Sequence, residues 1–344
     1  MSFKKILISI GYKKDKKMKK IIGLGSAIVD MMTQLPDDNF LNEHQLQKGG
    51  MFLVEEDQIK KVLESTKNLS PIQTSGGSAA NTIHGLAKLG VEVAYVGKVG
   101  EDKVGEFFVE DLKQSGIETK LFYSKTPSAI AAALITPDSE RTFATYLGAS
   151  VEMSPDDITE DTFKGYDILH IEGYLVFNQA LIEKALQTAK AMNLQVSIDM
   201  ASFNVVEANL DFLKEMLAKY VDIVFANEEE AKSFTGLEPK EACEAIAKDV
   251  EIAVVKIGKE GAYIKEGNNE MIHAPAFKAN SIDTTGAGDS YASGFLYGYT
   301  NGASHYNSSR IGALIAGNVI EHLGAKMPNQ KWQEIMPEIK EMLN

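Results

Sequence analysis

One segment of this 344-residue chain guides the interpretation of the rest: Ile282-Asp283-Thr284-Thr285-Gly286-Ala287-Gly288-Asp289-Ser290-Tyr291-Ala292-Ser293-Gly294. Apolar Phe295, Leu296 and Tyr299 follow at helical spacing, so the small residues before Asp289 predict a turn that opens a helix. The first turn of a helix has unpaired backbone N–H groups and the positive end of the helix dipole, and small residues let a phosphate approach the main chain. The segment therefore predicts an anion site.

The carboxylate of Asp289 allows two interpretations. A carboxylate repels a neighbouring phosphate, unless its role is to take a proton from a hydroxyl that attacks the phosphorus. Asp is also common in the first turn of a helix, where Thr284 or Thr285 would serve as the N-cap. The segment by itself leaves catalysis and helix capping open.

The segment also resembles the C-terminal signature of the ribokinase-like (PfkB) family of ATP-dependent sugar and nucleoside kinases, through residues 283–289 and Ser293-Gly294-Phe295. The resemblance implies that Asp289 is the catalytic base. It implies an anion hole for the transferring phosphoryl group, formed by Gly286, Ala287 and Gly288. It further implies a three-layer α/β/α fold with a central, mostly parallel sheet and a small β-sheet lid, and the use of ATP and Mg²⁺.

The composition limits the classes of protein to which the chain can belong. With 44% hydrophobic residues, the chain can bury a large core and suits one large α/β domain. No stretch approaches 18 consecutive apolar residues, so we expect no membrane span. The net charge of −13 argues against a nucleic-acid partner, because phosphate binding needs clustered Lys and Arg. The single cysteine, Cys243, excludes an internal disulfide framework and favours a reducing, cytoplasmic location.

The first twenty residues differ from this acidic background, because they are rich in lysine. Such a cluster is typical of an arm for nucleic acid or of a membrane-surface segment. Met18, however, is followed directly by Lys-Lys-Ile-Ile-Gly-Leu-Gly, like a bacterial start that leads into a first strand. We expect residues 1–17 to be a disordered or mis-assigned extension, and residues 18–344 to form the kinase domain.

A second glycine-rich segment, Ser75-Gly76-Gly77-Ser78-Ala79-Ala80-Asn81, leads into a predicted helix. By itself, Gly-Gly-Ser is typical of a flexible linker. The segment nevertheless resembles the N-terminal signature of the same family, which implies that Gly76 and Gly77 let the backbone approach the substrate and that Asn81 contacts it. Asp30 follows the first strand, where open α/β sheets bind ligands. The resemblance implies that Asp30 binds sugar hydroxyls, and a carboxylate can accept from two vicinal hydroxyls.

Two strand-like runs, residues 130–135 and 141–146, predict a hairpin that interrupts the βα alternation. We expect a β lid formed by about residues 28–55 and 117–147, which closes over the active site and excludes water. Arg141 and Phe143 are candidates for closing over the substrate or a phosphate, although a surface Arg and a packed Phe fit equally well. An exposed lid could also pair two copies into a homodimer, and the sequence leaves this open.

Further candidates lie at later strand ends. The resemblance implies that Glu172 contacts a sugar hydroxyl. Asn227 and Glu230 are explained by helix capping alone, but the family's Asn-x-x-Glu motif implies that they shape the Mg²⁺ and phosphate environment, Glu230 through water. Residues 252–258 resemble the family's nucleotide-side strand and turn, which includes Gly258. Lys256 in that strand either meets a phosphate or lies exposed.

The same resemblance addresses the adenine and the acceptor. Asn318, in a helix predicted over residues 311–323, is expected to contact the purine. Residues 37–41, 54–57 and 220–231 are more similar to adenosine kinases than to ribokinases. We therefore favour transfer of the γ-phosphoryl group of ATP to a primary hydroxyl of adenosine or a related nucleoside, as in purine salvage. A sugar kinase for ribose or fructose is the alternative, and a non-catalytic nucleoside- or sugar-binding regulator is a second one.

Overall fold

The computed structural model describes residues 18–138 and 140–343, so the expectation for residues 1–17 lies outside the described residues. The strands are β1 (Ile21–Leu24), β2 (Ile28–Gln34), β3 (Met51–Leu53), β4 (Ile72–Gly76), β5 (Val93–Gly100), β6 (Glu118–Ser124), β7 (Ala129–Ile135), β8 (Arg141–Tyr146), β9 (Ile168–Glu172), β10 (Gln195–Asp199), β11 (Ile223–Asn227), β12 (Ile252–Lys256), β13 (Ala262–Glu266) and β14 (Ile272–Ala274).

The α-helices of the same residues are α1 (Asn39–Glu43), α2 (Glu56–Thr66), α3 (Ser78–Lys88), α4 (Lys103–Gln114), α5 (Glu160–Phe163), α6 (Gln179–Ala191), α7 (Phe203–Ala208), α8 (Leu210–Tyr220), α9 (Glu228–Thr235), α10 (Pro239–Ile246), α11 (Ala287–Asn301), α12 (His305–Val319) and α13 (Asn329–Glu341). Short 3-10 turns connect several of them, among them Gly173–Phe177 after β9. Helix α11 begins at the predicted turn, with Gly286 as its N-cap.

The large sheet of the described residues has nine strands in the order β14-β13-β12-β11-β10-β9-β1-β5-β6. The seven strands from β12 to β6 run parallel, and β13 and β14 run antiparallel at one edge. The predicted mostly parallel sheet is therefore confirmed. All the parallel strands end at one edge, which brings the residues at their carboxyl ends together.

Alternate residues of β1 face two separate hydrophobic cores. Ile21 belongs to the core that also includes residues of α3, α11 and α12, whereas Ile22 and Leu24 belong to the core with residues of α6 and α8. Successive side chains of a strand point to opposite faces, so a strand that is apolar throughout is covered on both faces. This arrangement is the predicted three-layer α/β/α fold.

A second sheet, β3-β8-β7-β2-β4, stands apart from the large one. The β7–β8 hairpin is antiparallel, as the sequence indicated. Two strands differ from the ranges expected for the lid. Strand β6 lies within residues 117–147 but pairs with β5 in the large sheet, because β5, α4 and β6 form one parallel crossover unit. Strand β4 lies outside both ranges and pairs with β2.

Helix α11 is held by close contacts on two sides. A Cβ atom at Gly294 would lie 2.7 Å from the Cα atom of Gly312 in α12, and one at Gly298 would lie 2.7 Å from the Cα atom of Ser308. On the other side, a Cβ atom at Gly85 of α3 would lie 2.4 Å from the hydroxyl oxygen of Ser293. Glycine lets α11 and α12 pack main chain against main chain, and it makes room in α3 for the Ser293 side chain. These contacts fix the position of the turn that opens α11.

None of the helices in residues 18–138 and 140–343 is long and apolar enough to cross a membrane.

Replacing Gly294 by Ala tests this packing. We expect Gly294→Ala to lower the free energy of unfolding by ~1–3 kcal/mol, because the new methyl group meets backbone atoms that no rotamer change can move. The control is Gly317→Ala in α12, where the new Cβ would lie 3.1 Å from the Cβ atom of Phe277. This variant should lower the free energy of unfolding less than Gly294→Ala does. Urea unfolding measures both. Equal stability of Gly294→Ala and the wild type would contradict the packing described.

Candidate active site

A cleft of about 1070 Å³ follows the carboxyl ends of the parallel strands. Asp30 from the second sheet, Asp199 from β10, Lys256 from β12 and the turn that opens α11 line it. Ligand pockets usually measure roughly 300–1,000 Å³. The cleft is therefore large enough to hold two small molecules next to each other.

Asp289 lies in the first turn of α11, and its carboxylate is held from α3. Its Oδ1 accepts a hydrogen bond from the hydroxyl of Ser78 at 2.7 Å, and its Oδ2 accepts one from the side-chain amide of Asn81 at 2.9 Å. The hydroxyl of Thr82 donates to the carbonyl oxygen of Asp289 at 3.2 Å. The two glycine-rich segments, 211 residues apart at Ser78 and Asp289, thus form one site.

The environment of Asp289 shifts its proton affinity strongly. Burial raises the pKa of Asp289 to about 7. The hydrogen bond from Asn81 opposes this rise, Asp199 adds to it, and Ser78 and the ammonium of Lys256 again oppose it. A carboxyl with such a pKa can both take up and release a proton near neutral pH.

The turn that opens α11 requires glycine at position 286, and the glycine at position 288 leaves room for a lysine. Gly286 has φ +72°, and a Cβ atom there would lie 2.5 Å from the Cβ atom of Ala325. At Gly288 a Cβ atom would lie 3.0 Å from Nζ of Lys256. Of the three expected anion-hole donors, the amide of Ala287 has an internal partner, the carbonyl oxygen of Thr284 at 3.2 Å.

Arg141 lies against the loop that precedes Gly286. Its guanidinium forms an ion pair with Asp283 and donates to the hydroxyl of Thr285 at 2.9 Å. Asp283 also accepts from the amides of Thr285, at 3.0 Å, and Gly324. Arg141 therefore ties β8 to the loop before Gly286 and is absent from the cleft wall. The paired guanidinium satisfies the buried carboxylate of Asp283, which is why it turns away from the cleft.

Phe143 is likewise not part of the cleft wall. It is half-buried in β8, where it lies opposite Ala133 of β7 and Met51 of β3. Phe143 therefore lies within the second sheet, away from the cleft wall.

Asp30 lines the cleft, and the paired glycines make room around it. A Cβ atom at Gly76 would lie 2.3 Å from Oδ2 of Asp30. Gly77 has φ +94°, and a Cβ atom there would lie 2.3 Å from the carbonyl oxygen of Ser26. Burial raises the pKa of Asp30 to about 7, and the nearby ammonium of Lys326 opposes the rise.

Glu172 does not reach the cleft, which corrects the expectation that it contacts a sugar. Its side chain is buried, and its two oxygens accept from the amides of Ser26 at 2.8 Å and Ala79 at 3.1 Å. A Cβ atom at Gly25 would lie 2.5 Å from its Oε2. Both carboxylate oxygens accept hydrogen bonds from backbone N–H groups, so Glu172 joins the loop before β2 to the start of α3.

A buried charge cluster lies at the ends of β10, β11 and β12. The ammonium of Lys256 pairs with Oδ2 of Asp199 at 2.8 Å. Asn227 caps α9 through the amide of Glu230 at 2.9 Å, and both carboxylate oxygens of Glu230 accept from Asn227 at 2.7 Å. Burial, followed by the charge of Asp199, raises the pKa of Glu230 to about 7, while Lys256 opposes the rise.

Asp199 is the residue that the sequence did not single out as functional. It lies on the cleft wall at the end of a parallel strand, the same kind of position that drew attention to Asp30. Its Oδ1 accepts from the amide of Ala201 at 3.0 Å, and Ala201 has φ +68°, a conformation that is uncommon for a residue other than glycine. Such strain is frequent at functional sites.

The far end of the cleft is lined by Gly258, Phe277 and residues of α12, including Ala313, Ala316 and Gly317. Asn318 is not part of that wall, which corrects its expected contact with the purine. Its side chain is buried and donates to the carbonyl oxygen of Leu314 at 2.8 Å, one turn earlier in α12. The helix ends at Val319 rather than at residue 323, and its cleft face is formed by small residues.

Ser78 and Tyr174 also line the cleft, although neither was among the expected site residues. Ser78 lies inside the recognised glycine-rich segment, so its place in the sequence gave a usable signal. Tyr174 follows β9 in a 3-10 turn, and 42% of its surface is exposed.

Residues 54–332 match the pfkB family carbohydrate kinases. An uncharacterized sugar kinase of Archaeoglobus fulgidus is 30% identical over 248 residues, which cover 70% of this chain and 96% of that protein. A 5-dehydro-2-deoxygluconokinase of Geobacillus thermodenitrificans is 29% identical over 265 residues, which cover 71% of this chain and 78% of that protein.

Two solved structures are similar over nearly the whole chain. The adenosine kinase from Sinorhizobium meliloti superposes with a TM-score of 0.79 at 34% identity, covering 90% of this chain and 96% of that one. A probable sugar kinase from Rhizobium etli superposes with a TM-score of 0.83 at 32% identity, covering 93% of this chain and 98% of that one.

The role of Glu172 as a link between two loops gives a prediction. Glu172→Gln presents an NH₂ group to one of the two backbone N–H groups, so we expect the free energy of unfolding to fall by ~1–3 kcal/mol. A matched control is Glu183→Gln on the exposed face of α6. Urea unfolding of the two variants is the measurement. A Glu172→Gln variant as stable as the control would show that the two hydrogen bonds do not hold the loops.

Proposed function

Since the chain belongs to the pfkB family of carbohydrate kinases and is an ATP-dependent kinase with an alcohol acceptor, we propose that its acceptor is a nucleoside, with adenosine favoured. The observation that supports the transfer reaction is the carboxylate of Asp289, fixed by Ser78 and Asn81 at the N-terminal turn of α11. The exposed ring of Tyr174 on the cleft wall is what favours a nucleoside as the acceptor. This geometry puts a base with a pKa of about 7 beside the place where a helix favours a phosphate.

The acceptor end of the cleft offers partners for both halves of a nucleoside. Asp30 and Asn81 are polar groups that suit ribose hydroxyls, and no described residue bonds the buried Oδ1 of Asn81. Tyr174 offers an exposed aromatic ring on the same wall. Stacking of a base on an aromatic side chain contributes roughly 1–3 kcal/mol. A sugar without a base would leave that ring without a partner.

A sugar acceptor is the second candidate. It is supported by the relatives named as sugar kinases and by the probable sugar kinase of Rhizobium etli, which is nearly as similar as the adenosine kinase. The polar groups around Asp30 serve a free sugar as well as a ribose. The non-catalytic regulator is disfavoured, because Asp289 and the turn before it are intact.

The reaction follows from the placement of these groups. Asp289 takes the proton of the primary hydroxyl as that oxygen attacks the γ-phosphorus of ATP. The new O–P bond forms, the bond from the γ-phosphorus to the bridging oxygen breaks, and its electron pair leaves with ADP. The N–H groups at the turn of Gly286 and Gly288 stabilise the charge on the transferring group. The proton remains on Asp289 until the product leaves.

The charges around Lys256 are suited to Mg²⁺. Asp199, Glu230 and Asp289 share this one buried ammonium, so the region carries surplus negative charge. Among residues 18–138 and 140–343, no group of three or more His, Cys, Asp or Glu side chains could hold a metal ion by itself. Mg²⁺ commonly keeps waters and binds through few carboxylates together with phosphates. Glu230 is the residue that would hold it, and when bound it would supply charge neutralisation on the ATP phosphates.

We assign the second sheet the role of a lid that excludes water from this reaction. Asp30 belongs to β2 of this sheet and lines the cleft, and Arg141 of β8 is bonded to the loop before Gly286. The sheet therefore touches both the acceptor end and the phosphate turn. Closure of such an element prevents the same base from activating water.

An ADP-release assay with Mg-ATP tests both the reaction and the acceptor. We expect turnover with adenosine at micromolar concentration, and a loss of about a hundredfold or more in Asp289→Asn with nucleotide binding retained. Tyr174→Ala should raise the KM for adenosine about tenfold or more, whereas Tyr174→Phe, which keeps the ring, should not.

Three results would decide against parts of this proposal. Turnover with ribose or fructose but not with adenosine would replace the nucleoside by a sugar. Equal KM values for adenosine in Tyr174→Ala and Tyr174→Phe would remove the stacking role. Full activity of Asp289→Asn would refute the base.

The pH dependence gives a separate prediction. Because the base must be unprotonated, kcat/KM should fall tenfold per pH unit below the pKa of Asp289, about 7 in the free enzyme. Ser78 stabilises the charged form, so Ser78→Ala should move this acid limb upward by ~0.7 unit, the equivalent of a hydrogen bond of about 1 kcal/mol. The control is Ser65→Ala on α2, far from the cleft. An unmoved or lowered limb in Ser78→Ala would contradict the assignment.

A further inference from the structure

Lys256 is a buried cation on the cleft wall that the mechanism above has not used. It is the last residue of β12, and 15% of its side chain is exposed. Its ammonium pairs with Oδ2 of Asp199 at 2.8 Å. A lysine ammonium has three donors, so the bond to Asp199 leaves donor capacity toward the cleft.

The ammonium lies directly against the turn that opens α11. A Cβ atom at Gly288 would lie 3.0 Å from Nζ of Lys256, closer than such atoms normally approach. The glycine at this position thus makes room for a cation at the point where the helix dipole already favours an anion. The main chain of the turn and the ammonium border the same small volume.

The charge of Lys256 is permanent at neutral pH. Burial disfavours the ammonium, but the carboxylates of Asp199 and Glu230 outweigh burial and raise its pKa above the ordinary value. The other lysines of the cleft wall, Lys259 and Lys278, are exposed at its rim, where water screens them. Lys256 is therefore suited to stabilise charge inside the cleft and unsuited to transfer a proton.

We propose that Lys256 is a catalytic residue of this kinase, whose ammonium binds the γ-phosphoryl group during transfer, and that Asp199 is its positioning residue. The inference rests on the proposed function. In the step, the acceptor oxygen bonds to the γ-phosphorus, its proton goes to Asp289, and the electron pair of the broken P–O bond leaves on ADP. Lys256 keeps all its protons and stabilises the negative charge on the transferring oxygens.

A role as the counter-ion of Asp199 alone makes different predictions. If Lys256 only neutralised Asp199, its loss would harm the enzyme through an unpaired buried carboxylate. Removing that carboxylate as well would then restore the enzyme. If Lys256 acts on the phosphoryl group, removing Asp199 cannot replace the missing cation.

The test compares Lys256→Met with the wild type in kcat, in KM for adenosine or ribose, and in the affinity for ADP with and without aluminium fluoride. We expect kcat to fall about 10²–10³-fold, the usual loss when one preorganised charge donor is removed, with an unchanged KM for the acceptor. The Kd for ADP alone should change little. The Kd for ADP with aluminium fluoride and the acceptor should rise by a factor similar to the loss in kcat.

Two further variants sharpen the result. The double variant Lys256→Met/Asp199→Asn should be no more active than Lys256→Met. Lys265→Met on the neighbouring strand β13, outside the cleft, is the matched control and should behave like the wild type.

The proposal is overturned if Asp199→Asn restores the Lys256→Met enzyme, or if the affinities for ADP with and without aluminium fluoride fall equally. If the wild type turns over and Lys256→Met is equally active, this inference is overturned and the proposed function stands. A wild type without turnover on any acceptor overturns the proposed function, and this inference with it.

Discussion

The site depends on the two hydrogen bonds that α3 donates to the carboxylate of Asp289. They hold a group whose burial would otherwise keep it protonated, and they join two segments that are far apart in the sequence. The close packing of α11 on α12 and α3 serves the same end, because the direction of the carboxylate follows from the position of its helix. Gly294 and Gly85 lie at contacts where any larger side chain would displace α11. The packing of these helices therefore also determines the geometry of the cleft.

Charge balance is the second constraint. Asp199, Glu230 and Asp289 lie around one buried ammonium, and burial holds the pKa of Glu230 and of Asp289 at about 7. Such a cluster is unfavourable in the free protein and becomes favourable when cations and phosphates enter together. The arrangement therefore favours a ligand that brings both. A metal–nucleotide complex offers both, which is consistent with the proposed phosphate site beside these carboxyl groups.

The sequence was informative where a local pattern implies a local structure. The turn at Gly286, the capping box of Asn227 and Glu230, and the parallel sheet follow from glycine, cap and strand patterns that act over a few residues. The directions of single side chains did not follow. Glu172 and Arg141 bond to partners that only the tertiary structure brings near, two backbone amides and the carboxylate of Asp283. Asn318 instead bonds to a carbonyl of its own helix, one turn earlier. Asp199 was missed because nothing beside it in the sequence distinguishes it from any other strand-end carboxylate, and its partner Lys256 is 57 residues away.

The proposed role of Asp289 as the base requires a raised pKa, which infrared difference spectroscopy can measure without any assumption about the acceptor. A pH titration of the wild type minus Asp289→Asn isolates the carboxyl band of this one residue. The account predicts a midpoint near the value that burial imposes, about 7. A midpoint at the ordinary value of 3.8 would contradict it, because burial would then not raise the pKa of this carboxyl.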